Sequence, residues 1–372
     1  MKRPSLRLAP CVTAFATLAA LAFGSGCSMH PVAPAVETAA AIPPSSYWHA
    51  DGQATQSAAC RTHLEALRGR LHGLPMTTLL AVRGDQVVFS EGPIDRATQI
   101  ASIRKSLLAM LYGQPVEDGR IKLDATLDDL HFDDIGGLLP IERQARIRDL
   151  IEARSGVYHP AANAGDDAAA VPPRGSQRPG TYFIYNNWDF NAAGAIYVQL
   201  TGRDIYDAFD ADIARPLGLE DFRRGSQHYA GDPARSQHLA YAFHLSARDM
   251  AKVGELMLAD GRWNGRQLVP ADWVHTITTQ VTPPSAMHPA HAAQRGVGYG
   301  MMWWVPQGGA GSPLQGSYMA WGLFGQWILV MPRSGLVVVE KYDVSAPLTA
   351  RIPTVPVSDF LQEAAGIAEA GC

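Results

Sequence analysis

The chain of 372 residues is 47% hydrophobic and 18% charged, long and apolar enough to bury a sizeable core as one large domain or two. Its net charge of -4, without lysine or arginine runs beyond short pairs, removes any electrostatic case for a nucleic-acid partner.

At the start, Lys2, Arg3 and Arg7 precede an apolar run from Leu8 to Phe23, and Gly24, Ser25 and Gly26 lead into Cys27. Over residues 1–27 this reads as an export signal, too short and too rich in small residues for a permanent membrane helix, which needs about 20 apolar residues. The small residues before Cys27 resemble a bacterial lipoprotein processing site, although Gly24 stands where leucine is usual. Two outcomes stand open: lipidation of Cys27, giving a membrane tether in the cell envelope, or plain cleavage near Ala39 and release into the periplasm. Residues 28–55, rich in Pro, Ala, Ser and Thr without periodicity, read as a flexible linker.

The folded part is expected over residues 56–372. A helical pattern runs from Cys60 to Leu71, and "MTTLLAVRGDQVVFSEG" predicts a hairpin turning at Arg83-Gly84-Asp85. A helix carrying Ser102 and Lys105 in its first turn follows, to about Gly119. From roughly residue 131 to 290, helical segments such as "FNAAGAIYVQLTG" and "ARDMAKVGELMLADG" alternate with Pro- and Gly-rich loops. Strand-like runs then return in "GYGMMWWVPQ", "GSYMAWGL", "GQWILVMP" and "GLVVVEKYD", before a last helix from Ser358 to Ala370. The expected fold is α/β (α+β): one antiparallel sheet built from residues 56–130 and 291–372, flanked by terminal helices, with a mostly helical lobe, 131–290, inserted between its halves. Antiparallel packing of the terminal helices would bring Cys60 and Cys372 together, and an oxidising compartment would let a disulfide form.

Lysine is disfavoured at the positive end of a helix dipole, so Lys105 near the start of an apolar helix needs a reason. Positions i and i+3 share a helix face, which puts its amine within reach of the Ser102 hydroxyl. Burial and the helix end both favour the neutral amine, so the pair reads as a nucleophile and a base. A Ser-x-x-Lys spacing is weak alone, because an exposed lysine and a capping serine look the same. Tyr185-Asn186-Asn187, 83 residues further on, and Gly322 between strand-like runs give it company.

With these residues in place, the chain resembles the serine hydrolases related to class C β-lactamases and penicillin-binding proteins, a family that includes esterases and aminohexanoate-oligomer hydrolases. Its signature is Ser-x-x-Lys, then Tyr-x-Asn, then a Lys/His-Thr/Ser-Gly strand. Ser102-Ile103-Arg104-Lys105 and Tyr185-Asn186-Asn187 match the first two, and "RDLIEARSGVYHP", "ARPLGLEDF" and "HLSARDMAKVG" are similar to flanking stretches. The third departs from the pattern: counting back from Gly322, the cation's position is Ala320 and the middle position Trp321.

The resemblance implies a β-lactamase/transpeptidase-like fold and a catalytic set of Ser102, Lys105, Tyr185 and Asn187. It further implies oxyanion donors at the backbone N–H groups of Ser102 and Leu323. No cofactor is expected and no metal, since His288 and His291, three apart, lie in a Pro- and Ala-rich loop with no Cys, Asp or Glu close by to complete a site. Without the third-motif cation the expected substrates are small esters or non-lactam amides, with Trp321 as an apolar pocket wall; Gly325-Gln326 is similar to the hydrolases of such substrates, which makes Gln326 a substrate-binding candidate. A DD-peptidase or β-lactamase using the same serine, and an idle envelope-binding lipoprotein, are the alternatives. Arg104, about 200° round the helix from Ser102, is expected to point away and pair with a carboxylate.

Overall fold

Strand-forming runs at the two ends of the sequence meet in a single sheet. The computed structural model describes residues 56–71, 77–163, 165, 168–342 and 355–372. The expected export signal, the linker and Cys27 lie outside the described residues.

The first helix is α1 (Ala58–Leu71), followed by the hairpin β1 (Thr77–Arg83) and β2 (Gln86–Glu91), with Gly84 in the left-handed region its turn requires. Next come α2 (Ile103–Glu117), α3 (Asn187–Thr201) and α4 (Ala247–Leu258). Five strands complete the sheet: β3 (Val297–Tyr299), β4 (Trp304–Pro306), β5 (Tyr318–Gly322), β6 (Gln326–Met331) and β7 (Leu336–Tyr342). The chain closes with α5 (Val357–Glu369). The strands lie side by side as β3-β4-β5-β6-β7-β1-β2, antiparallel throughout. Leu79 of β1 pairs with Glu340 of β7, so the early hairpin becomes the edge of a sheet laid down mostly by the last third of the chain.

Helices cover both faces. On one, Phe360 of α5 stacks on Trp327 of β6 with ring centroids 4.4 Å apart, and α1 packs against α5. Cys60 and Cys372 form a disulfide there, and Arg70 pairs with Glu363 at 2.8 Å. On the other face lie α2 and α4. A side chain on Gly254 of α4 would sit 2.4 Å from Val337 Cγ1 and 2.9 Å from Ile328 Cγ2, so glycine is what lets this helix approach the sheet. By sequence α4 falls inside the span expected to form the helical lobe; it packs instead on the sheet, since its apolar face is buried against β6, β7 and β1. β6 and β7 are buried along their whole length, as strands covered on both faces must be.

Candidate active site

The short strand Thr98–Gln99, paired with His244–Leu245, delivers the chain to α2. Between them Ala101 holds φ +48, a left-handed conformation that costs a non-glycine residue about 1–2 kcal/mol. Ser102 then takes the N-cap position without using its hydroxyl as a cap, which removes the helix-capping account of this serine. The helix proper starts at Ile103, and Thr98–Gln99, which opens the stretch whose pattern reads as this helix, is a strand.

Lys105 is 1% exposed. Its Nζ donates to Ser102 Oγ at 3.0 Å, to Tyr185 OH at 2.7 Å and to Asn187 Oδ1 at 2.8 Å. The ring centroids of Tyr185 and Phe190 also lie near it, 4.0 and 4.4 Å from Nζ. Tyr185 is held by packing on Phe190, Trp304 and Tyr299, at centroid distances of 4.9, 5.3 and 6.0 Å. Asn187 is the first residue of α3, whose N-cap, Asn186, accepts from Trp188 N at 3.1 Å and donates to Val157 O at 2.9 Å. Asn186 thus fixes the turn, and the turn aims Asn187 at the lysine. Two residues on, Asp189 is fully buried and accepts from Ser155 Oγ at 2.6 Å. Burial pushes its carboxyl well above the ordinary carboxylate range, against the lowering effect of its hydrogen bonds from Ser155.

The third motif reaches the site through Gly322. A Cβ there would lie 2.6 Å from the carbonyl oxygen of Ile100, so glycine is required for the end of β5 to abut the segment before Ser102. Neither Ser102 nor Leu323 donates its backbone N–H to a backbone carbonyl among the described residues. Ala320 is completely buried. Trp321, half-buried, lines the cleft and packs on Trp304 with centroids 5.0 Å apart.

Two expectations need correction. Gln326 is fully buried and its Nε2 donates to Leu323 O at 3.3 Å; it pairs with Gly322 across the hairpin and faces the core, so it braces the turn and does not line the cleft. Arg104 borders the cleft beside Ser102 instead of pointing away, and it has no carboxylate partner among the described residues. Its guanidinium donates to Asn191 Oδ1 at 2.8 Å and lies 4.3 Å over the Tyr241 ring, a neutral amide and an aromatic face doing what a carboxylate was expected to do.

The cleft opens in two directions from Ser102 and Tyr185. An aromatic lobe of about 360 Å³ runs past Trp304 and Trp321 to Phe324, Arg295 and Val357. A polar lobe of about 230 Å³ is bounded by Gln99, Asn163, Asn187 and Arg104. Arg295 and Asn163 have no motif to mark them, and Trp304 lies in the run "GYGMMWWVPQ", read only as a strand; each reaches the cleft from a separate loop or strand. Among the described residues no group of three His, Cys, Asp or Glu side chains is arranged to hold a metal ion.

Solved structures share this architecture. A Bacillus anthracis protein assigned as a 6-aminohexanoate-dimer hydrolase is 20% identical with a TM-score of 0.62, covering 82% of this chain and 81% of that one. EstCE1, a hydrolase with promiscuous acyltransferase activity, is 15% identical with a TM-score of 0.56, covering 84% and 98%. A penicillin-binding protein homologue from Pyrococcus abyssi is 17% identical with a TM-score of 0.56, covering 78% and 75%. An uncharacterised protein of Alkalihalophilus pseudofirmus is 27% identical over 106 residues, which is 27% of this chain and 30% of that protein's length. The Beta-lactamase family model matches residues 63–339, and with the sheet, the helices and the fold of these neighbours the chain belongs to that family.

Proposed function

We propose that this is an exported serine hydrolase that cleaves esters or non-lactam amides through an acyl-enzyme on Ser102. The reading is carried by one observation: a lysine amine buried from water lies within hydrogen-bond distance of a serine hydroxyl that caps nothing, a tyrosine hydroxyl and an asparagine carbonyl. In this mechanism Ser102 Oγ attacks the substrate carbonyl carbon while its proton passes to the Lys105–Tyr185 pair. The backbone N–H groups of Ser102 and Leu323 receive the developing oxyanion. As the tetrahedral intermediate collapses, the leaving group departs with the proton held by the pair, and Ser102 is left acylated. A water molecule, deprotonated by the same pair, attacks the acyl carbon; Oγ leaves, regains its proton, and the acid is released. Asn187 keeps the amine oriented throughout.

The test is turnover of p-nitrophenyl esters, small amides and a chromogenic cephalosporin by the wild type and by Ser102→Ala and Lys105→Met. Both substitutions should lower ester turnover by about 10²–10⁴-fold or more and abolish labelling by a fluorophosphonate probe. Retained labelling in Ser102→Ala rejects this nucleophile, and efficient cephalosporin turnover shifts the assignment to a β-lactamase. Export is supported by the basic-apolar start of the sequence and by a disulfide, which suits an oxidising compartment. Detergent partition of the exported protein distinguishes lipidation at Cys27 from simple release.

A further inference from the structure

The lobes flanking Ser102 each carry one guanidinium, and the two are in different states. Arg104, in the polar lobe, is 4% exposed and engaged by Asn191 and by the Tyr241 ring. Arg295, at the wall of the aromatic lobe, is half-buried, and no carboxylate among the described residues forms an ion pair with it. Its guanidinium carbon lies 5.4 Å from the centroid of the Trp321 ring. A guanidinium held over an indole face by cation–π attraction keeps N–H groups available to receive a carboxylate through two parallel hydrogen bonds. The surrounding wall is apolar, with Trp304, Trp321, Phe324 and Val357, so a charge placed there is attracted more strongly than on open surface.

The lip of this lobe is built for contact as well. Leu323 and Phe324 are 41% and 39% exposed, two large apolar side chains held out at the hairpin between β5 and β6. Phe324 has φ +65, a conformation that costs a residue with a side chain about 1–2 kcal/mol and that a hairpin free to choose would fill with glycine. Gln326 braces the same turn from below by its bond to Leu323 O.

We propose that the aromatic lobe is a subsite for the carboxylate end of an amphiphilic substrate: an aromatic or long apolar body lies against Trp304, Trp321 and Phe324, and its carboxylate pairs with Arg295, several atoms from the scissile carbonyl. The assignment to a substrate rests on the Ser102 reading; the anion subsite itself does not.

The test is equilibrium binding followed by tryptophan fluorescence in the full chain carrying Ser102→Ala, so that no ligand is consumed. The probes are 4-phenylbutyrate and its neutral analogue 4-phenylbutyramide. At low salt the carboxylate should bind at least about tenfold more tightly than the amide, and the advantage should shrink as ionic strength rises. Arg295→Gln should bring the ratio of the two affinities to about one, Arg295→Lys should keep part of it, and Trp321→Ala should weaken both ligands alike. Equal affinities without the Arg295 substitution, an unchanged ratio in Arg295→Gln, or no saturable binding of the carboxylate overturns the proposal. Ser102-dependent hydrolysis of neutral esters with no carboxylate preference sinks the subsite alone. A carboxylate preference in a protein that turns over no ester sinks the nucleophile alone.

Discussion

Gly322→Ala tests whether the end of β5 and the Ser102 segment must touch for this site to form. The new Cβ would lie 2.6 Å from Ile100 O, 3.2 Å from Gln326 Cβ and 3.4 Å from Ile103 Cγ1. The nearest of these is a backbone atom, so relief requires about half an ångström of separation between β5 and the chain entering α2, which the close-packed core resists. Overpacking of this kind costs about 1–3 kcal/mol. The same displacement moves the Leu323 amide away from the Ser102 amide, and misplacement on that scale costs about 10–100-fold in kcat. Urea denaturation and p-nitrophenyl ester kinetics measure the two effects. Gly69→Ala on α1 is the control: nothing lies within 4 Å of its Cβ position, and the substitution should raise stability by about 0.4–1 kcal/mol with kcat unchanged. If Gly322→Ala retains wild-type stability and kcat, the close approach has no part in forming the site.

Glu340 is completely buried, faces α5 beside Glu363, and is pushed well above its ordinary value of 4.5 by desolvation and then by the neighbouring carboxylate. A raised folded pKa means that the folded state keeps a proton the unfolded state has lost. Stability therefore falls with rising pH from about 4.5 until the folded pKa is passed, at about 1.4 kcal/mol per pH unit. Glu340→Gln should be more stable than wild type at pH 7, with the gain vanishing near pH 4; a gain that is equal at both pH values contradicts the assignment. The Cys60–Cys372 bridge joins residues 312 apart, and its removal by paired serine substitutions should cost about 2–5 kcal/mol. A melting temperature insensitive to both reductant and the double substitution would refute that.

Local patterns carried much of this structure. The spacing of Ser102 and Lys105 is one helical turn, which a local pattern shows; that Tyr185 and Asn187, 80 and 82 residues from Lys105, join them is what the family resemblance implies and no local spacing contains. The hairpin at Gly84 and the terminal helices follow from turn chemistry and apolar period. The misses share one cause. β6 is buried on both faces, so its residues show no alternation from which the facing of Gln326 could be read. Arg104 finds its partner 87 residues away, and α4 joins the sheet through a contact between Gly254 and strands far along the chain. Arg295 reaches the cleft from a loop with no periodic pattern. Long-range contacts of this sort depend on how elements stack, which no local window contains.

The substitution at Ala320 separates chemistry from recognition in this scaffold. The amine that bonds Ser102, and the phenol and amide that bond that amine, come from α2, α3 and the residues just before α3, and none belongs to β5. What β5 and its turn contribute is a close approach at Gly322 and a wall at Trp321, and both persist without a cation. Successive side chains alternate across a strand, so with Trp321 lining the cleft, Ala320 points the other way, toward α2, on the side where a Cβ at Gly322 would meet Ile103. Restoring the family's lysine in one step is therefore expected to fail. Ala320→Lys places an ammonium at a fully buried position with no partner provided, which should cost about 3–5 kcal/mol, and cephalosporin hydrolysis should not appear. A variant that melts at the wild-type temperature and is acylated by a fluorescent penicillin would show that the pocket still accommodates the cation, and that its loss at Ala320 does not by itself set the substrate.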